Sequence, residues 1–149
     1  MKFGIILLTS AYHHVEDKFK SKLLQKIFEM MRDDGVLIIY EKIISPYSNE
    51  REWAESNEQF YLKRIEYLRK TEKEKLTKKQ FNALMNLCAL SVLKEEEYKT
   101  DYNYLVKDLR RTGFKVLKET KIWPKQNLFC NEKVGDFVFV AKKPIKRKN

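Results

Sequence analysis

The run Phe3–Leu8, FGIILL, constrains the fold more than any other stretch of the chain. It is apolar at every position but Gly4, and Ile5 and Ile6 are β-branched. A run so short, without alternation, predicts a strand covered on both faces, as in a parallel sheet. Thr9, Ser10 and Ala11 then leave the strand in small steps. Tyr12, His13 and His14 follow at once and include the only two histidines of the chain. Open α/β sheets bind their ligands beyond the carboxyl ends of the strands. The sequence therefore puts hydroxyls, a phenol and two imidazoles where such a fold does its chemistry.

Phe19, Leu23, Ile27 and Met30 or Met31 recur at helical spacing after Glu16–Asp17, with Leu24 and Phe28 widening the stripe. They predict a helix to about Arg32, ended by Asp33–Asp34–Gly35 with Gly35 in the left-handed stop position. Val36–Tyr40 is a second unbroken apolar run, so strand, helix and strand form a right-handed parallel βαβ unit. Asn49 with Glu52 caps a helix to about Lys70, with Trp53, Phe60, Tyr61, Ile65 and Leu68 on one stripe. Thr77 with Gln80 caps another, which turns Phe81, Leu84, Met85 and Cys88 inward. No strand separates these two helices, so residues 49–92 read as an insertion laid over the end of the sheet. A further helix, Asp101–Thr112, stops at Gly113. The polar character of Phe114–Trp123 suits an edge strand, and the apolar Phe137–Ala141 an interior one, the two paired as an antiparallel hairpin.

A chain of 149 residues that is 43% hydrophobic supports one packed domain. Residues 1–142 read as that domain and 143–149 as a basic tail. No stretch reaches the roughly 20 apolar residues of a membrane span, no signal peptide is legible, and a cytoplasmic location is expected. Cys88 and Cys130 read as buried, reduced thiols. The net charge of +10 favours polyanions such as RNA, or else marks a solvated surface, as the alternation Glu72–Lys73–Glu74–Lys75 suggests. Two adjacent histidines and two distant cysteines lack the spacing of a metal site, so none is expected.

Taken in order, "SAYHHV", "DDGVLIIYE", "LRRTGFKVLKE" and "DFVFVAKK" resemble the C-terminal half of a class I S-adenosylmethionine-dependent methyltransferase. The resemblance covers nearly the whole chain. It implies an α/β, Rossmann-like half-fold: a mixed sheet of order 4-5-7-6 in the family's strand numbering, the last strand antiparallel, with helices on both faces and a helical insertion. It implies S-adenosylmethionine as cofactor, touched by Thr9 and Ser10. His13, His14 and Glu41 become catalytic candidates, and Tyr12, Trp53 and Trp123 candidates for lining a substrate site.

Each candidate has a plainer reading. A histidine caps the next helix or packs under the sheet, Thr9 and Ser10 serve the turn, Glu41 pairs with Lys42, and the tryptophans are core. The family's Gly-rich cofactor loop has no counterpart, because Gly4, Gly35, Gly113 and Gly135 are isolated. The resemblance thus implies a methyltransferase-family protein lacking its cofactor-binding half, inactive alone or completed by another chain. A non-catalytic interaction module and a basic RNA-binding domain are the alternatives. Without a neighbour on its outer side, Phe3–Leu8 is an apolar, uncharged edge, so a homodimer or a partner chain is expected there.

Overall fold

The computed structural model describes residues 2–71, 76–126 and 128–145. The alternating charges Glu72–Lys75 and most of the expected basic tail, 146–149, lie outside the described residues. The elements run β1 (Phe3–Thr9), a 3-10 turn (Tyr12–His14), α1 (Asp17–Met30), β2 (Met31–Ile44), α2 (Glu50–Thr71) and α3 (Lys78–Val92). They continue with β3 (Thr100–Asp101), α4 (Tyr102–Thr112), β4 (Lys115–Trp123) and β5 (Gly135–Lys142).

The sheet has the order β1-β2-β5-β4. β1 is parallel to β2, while β5 is antiparallel to both β2 and β4. This is the order and polarity that the methyltransferase resemblance implies. The two-residue β3, which the sequence reading missed, pairs in parallel with Ile43 and Ile44 at the end of β2.

Alternation along β2 sorts the core. Leu37, Ile39 and Ile43 point to one face and meet Leu24, Ile27, Leu105, Leu109, Phe137 and Phe139, so α1 and α4 cover that side. Ile44, Trp53, Phe60, Tyr61, Cys88 and Val134 form a second cluster, where α2 and α3 stand over the carboxyl end of the sheet. The two predicted helix starts are built as expected. The Asn49 side chain accepts from the Glu52 N–H (3.0 Å), and Thr77 and Gln80 make a reciprocal capping box.

Five local expectations are corrected. α1 ends at Met30, because Met31 is already extended and pairs with Phe3. The left-handed residue is Asp34 (φ 69°), not Gly35, and this turn is tied to Lys143 by two backbone hydrogen bonds. Lys143 is itself buried and donates to the carbonyls of Phe28 and Met31 (2.9 Å each), so the fold runs one residue past the expected tail boundary. On α1 the buried stripe is Lys20, Leu24 and Ile27, while Phe19 and Met30 are exposed. Cys130 is exposed too, in the loop before β5; only Cys88 is buried.

The largest departure is at β1. Ile6 and Leu8 pack on the core, but Ile5 and Leu7 remain 65% and 63% exposed. β1 is covered on one face only, because α1 and α4 lie on the other side of the sheet. On the Ile5 side the insertion reaches only the carboxyl end, where Arg64 and Tyr40 meet the Asp136 carboxylate.

Two glycines test this packing. Gly113 (φ 102°) ends α4 in a left-handed cap, and a Cβ there meets only the edge of Phe28 at 3.3 Å. Gly135 (φ 139°) starts β5, and a Cβ there falls 2.0 Å from the Trp123 carbonyl oxygen. Gly113→Ala is expected to cost about 1 kcal/mol. Gly135→Ala should cost more than about 2 kcal/mol, because backbone has to move. Urea unfolding midpoints decide; equal losses would mean that the β4–β5 hairpin gives way freely.

Candidate functional site

Because β5 takes one edge of β2, β1 and β3 share the other, one beyond the end of the next. The segment leaving β1 and the segment entering β3 therefore touch. The Tyr98 N–H donates to the His13 carbonyl at 2.5 Å, joining positions far apart in the chain. At this junction, on the carboxyl side of the sheet, lies a buried cluster of ionisable side chains.

His13 sits in the middle and is buried. Its backbone N–H donates to Glu41 Oε2 (3.1 Å), and its ring Nδ1 hydrogen-bonds Glu41 Oε1. Glu41 is fully buried at the end of β2 and also accepts from the Lys42 N–H (2.9 Å). The other ring nitrogen of His13, Nε2, faces Glu97 Oε2 at 3.7 Å. Glu97 in turn pairs with the fully buried Lys99, whose ammonium also donates to Ser91 Oγ (2.7 Å) on α3. Trp53 closes the back of the cluster, its indole N–H donating to the Lys99 carbonyl (2.8 Å).

Burial works to raise the Glu97 carboxyl, but the hydrogen bond and charge of Lys99 outweigh it and hold Glu97 below the usual glutamate range. Lys99 lies deeper, and burial pulls its ammonium below the ordinary lysine value although Glu97 opposes this.

His13 and Glu41, two of the residues singled out in the sequence, are thus in direct contact, one holding the other by its Nδ1 side. With that proton directed at Glu41, Nε2 is the atom free to accept a proton or bind a ligand. His14 is exposed, its Nδ1 set 2.6 Å from the Glu96 carbonyl, with its ring 4.3 Å from that of His13. Adjacent residues do not share a site on a strand; the 3-10 turn is what lets these two rings lie together.

Of the other candidates only Trp53 touches this cluster, through its indole N–H on the Lys99 carbonyl. Thr9 is exposed at the end of β1, and Ser10 takes a positive φ of 48° with its N–H on the Tyr40 carbonyl (2.9 Å). Tyr12 is core: its hydroxyl donates to Asp108 Oδ2 (3.0 Å), and burial, then the Asp108 charge, pushes its pKa far up. Trp53 is buried, while Trp123 is half-buried among Phe60, Tyr67 and Phe129 with the Arg64 guanidinium 4.5 Å above its ring. Glu97, Lys99 and Ser91 are the members that sequence reasoning missed. "KEEEYK" reads as an ordinary solvated charge run, and no local pattern marks it.

The described residues do not by themselves fit S-adenosylmethionine. Gly4 lies under the Arg32 guanidinium, and Gly35 against the backbone of Arg32 and Phe3. Gly113 and Gly135 sit in turns against their own chain, so none offers open backbone to a ligand.

The depressed Glu97 carboxyl has a consequence for stability. A carboxylate whose folded pKa lies below its unfolded one stabilises the fold above the unfolded value, and that contribution is lost as pH falls through the folded value. Melting temperature should therefore drop on acidification below the normal glutamate range. Lys99→Met strands a buried charge at neutral pH, which costs about 3–5 kcal/mol, and should flatten the acid-side drop. A variant as stable as the parent, with an unchanged acid limb, would remove Lys99 from this role.

No protein-family model matches the sequence, and no curated protein matches it. Solved structures do match in fold. Burkholderia thailandensis 1,6-didemethyltoxoflavin-N1-methyltransferase, solved with 1,6-didemethyltoxoflavin and S-adenosylhomocysteine, superposes with a TM-score of 0.51 at 13% identity over 97% of this chain and 45% of that one. An O-methyltransferase family 2 protein from Planctomyces limnophilus, solved with apigenin, gives 0.52 at 15% identity, covering 96% of this chain and 31% of that one. LepI, solved with S-adenosylhomocysteine and a substrate analogue, gives 0.53 at 10% identity, covering 96% and 27%. The chain spans less than half the length of each. Its strand order, its polarity and these superpositions agree that the chain has the fold of the C-terminal half of a class I S-adenosylmethionine-dependent methyltransferase.

Proposed function

We propose that this chain is the acceptor-side half of a methyltransferase-type site, inactive by itself and completed by another polypeptide seated along β1. One observation carries the reading: the buried His13–Glu41 pair stands at the carboxyl end of the strands, directly beside a sheet edge that is bare. In this role His13 Nε2 accepts a proton from the methyl acceptor and Glu41 keeps the ring oriented, an ordinary division of labour in acid–base catalysis. The same geometry suits a non-catalytic module if the His13–Glu41 pair only braces the loop. The proposed location is the cytoplasm; among the described residues no helix is long and apolar enough to cross a membrane.

The β1 edge is argued from its chemistry. Phe3–Thr9 carries no charge, and among the described residues no strand pairs with its outer edge. Burying Ile5 and Leu7 is worth about 1.5–3 kcal/mol each. A second copy paired antiparallel through Phe3–Leu8 across a two-fold axis satisfies the unpaired backbone with a self-complementary surface.

Two outcomes are expected. Calorimetric titration of the isolated chain with S-adenosylhomocysteine should show no saturable binding; micromolar binding would show that the chain holds the cofactor alone. Size-exclusion chromatography with light scattering should give a dimer or larger assembly that Ile5→Lys dissociates. A parent protein running as an 18.0 kDa monomer would overturn the edge-pairing reading.

A further inference from the structure

The two histidines have a second shared property. The ring Nδ1 of His14 lies 2.6 Å from the Glu96 carbonyl oxygen, and that of His13 lies against the Glu41 carboxylate. Both partners only accept hydrogen bonds. Each neutral ring therefore carries its proton on Nδ1 and leaves the Nε2 lone pair free. Metal-binding histidines are held in this way, the far nitrogen donating to a carboxylate or carbonyl. The third donor is Glu97, with ligand-capable atoms of His13, His14 and Glu97 all within 4.8 Å of one another.

We propose that His13, His14 and Glu97 bind a divalent transition-metal ion, Zn2+ above all, with Glu41 as the outer partner that orients His13. Two imidazoles and one carboxylate are a donor set that takes Zn2+ with a position left open. Ligand atoms on one Zn2+ lie about 2.0–2.2 Å from it, so the three side chains close in slightly on binding. Glu41 and Glu97 are both buried here; Lys99 pairs with Glu97, while the other buried ammonium nearby, Lys20, is taken by Asp17 and the Tyr98 carbonyl, so a cation adds to Lys99 in facing the two carboxylates. An open cleft bounded by His14, Leu87, Leu90, Lys94, Glu95 and Glu97 gives the ion a route in. The inference does not rest on the methyltransferase reading, and the two compete for one lone pair: His13 Nε2 either holds the ion or accepts the acceptor's proton. It also runs against the expectation drawn from ligand spacing, since the third ligand is distant in sequence and is brought in by the segment before β3.

The test is isothermal titration of the full chain with ZnCl2, followed by the visible absorption of the Co2+ form. One ion per chain and a Co2+ spectrum of a low-coordinate nitrogen–oxygen site are expected. His14 is exposed, so His14→Ala should fold as the parent does and should lose at least about tenfold in affinity. Glu41→Gln should weaken binding by about 10- to 100-fold, as outer partners do. Cys130→Ser should bind as the parent. No saturable binding by the parent, unchanged affinity in His14→Ala, or a loss that follows Cys130 instead would each overturn the proposal. If Glu41→Gln does not fold, His14→Ala and Cys130→Ser still decide.

Discussion

The fold depends on β2 being bonded along both edges. β5 takes one edge over Val36–Ile43, and β1 followed by β3 takes the other. A strand held this way has fixed register, so its alternation places Leu37, Ile39 and Ile43 on one face without ambiguity. α1 and α4 then have a single apolar surface to cover, and their contact seals the main core. The short β3 does more than its two residues suggest. By continuing the line of β1 it brings the loop before it under the 3-10 turn, and it is this seam that assembles the polar cluster.

That cluster is costly to keep in a protein interior. Two carboxylates, an ammonium and an imidazole lie out of water, and such groups persist only where each is paired. Here they are: the His13 ring on Glu41, Glu97 on Lys99, the Lys99 ammonium also on Ser91, and Trp53 on the carbonyl of Lys99. A second buried polar set braces the turn from behind, with Tyr12 and Ser21 on Asp108, and Lys20 on Asp17 and the Tyr98 carbonyl. The loop that presents His13 and His14 is thus rigid although it carries little regular structure. Rigidity of this kind is what a proton acceptor or a metal ligand needs, because both depend on a lone pair aimed in a fixed direction.

The bare side of β1 is the counterpart of this order. Every other strand of the sheet is either charged at its edge or enclosed. β4, the opposite border, carries Lys115, Lys118, Glu119 and Lys121, the usual protection of an exposed edge. β1 carries none, and its Ile5 side belongs chemically to an interior. The one chain thus contains both a protected border and an unprotected one, and the cluster lies next to the unprotected one.

Much of this was legible in the residues. Unbroken apolar runs marked β1, β2 and β5, the mixed run marked β4 as a border, and Asn49, Thr77 and Gly113 marked helix ends, because each of those signals acts within a few residues. The ordered set of segments gave strand order and polarity through its resemblance to a known family. His13 and Glu41 stood out as candidates because strand ends are where α/β sheets do chemistry, and the structure shows that the two are in contact. What the tertiary structure decided is everything that joins distant positions. A run such as Leu93–Lys99 has no local character that separates a solvated charge cluster from a buried one; only the pairing of β3 with β2 put Glu97 and Lys99 inside. Likewise, an apolar strand says that it prefers to be covered, but not by what. That is set by which side of the sheet the helices occupy, and here they leave Ile5 and Leu7 open.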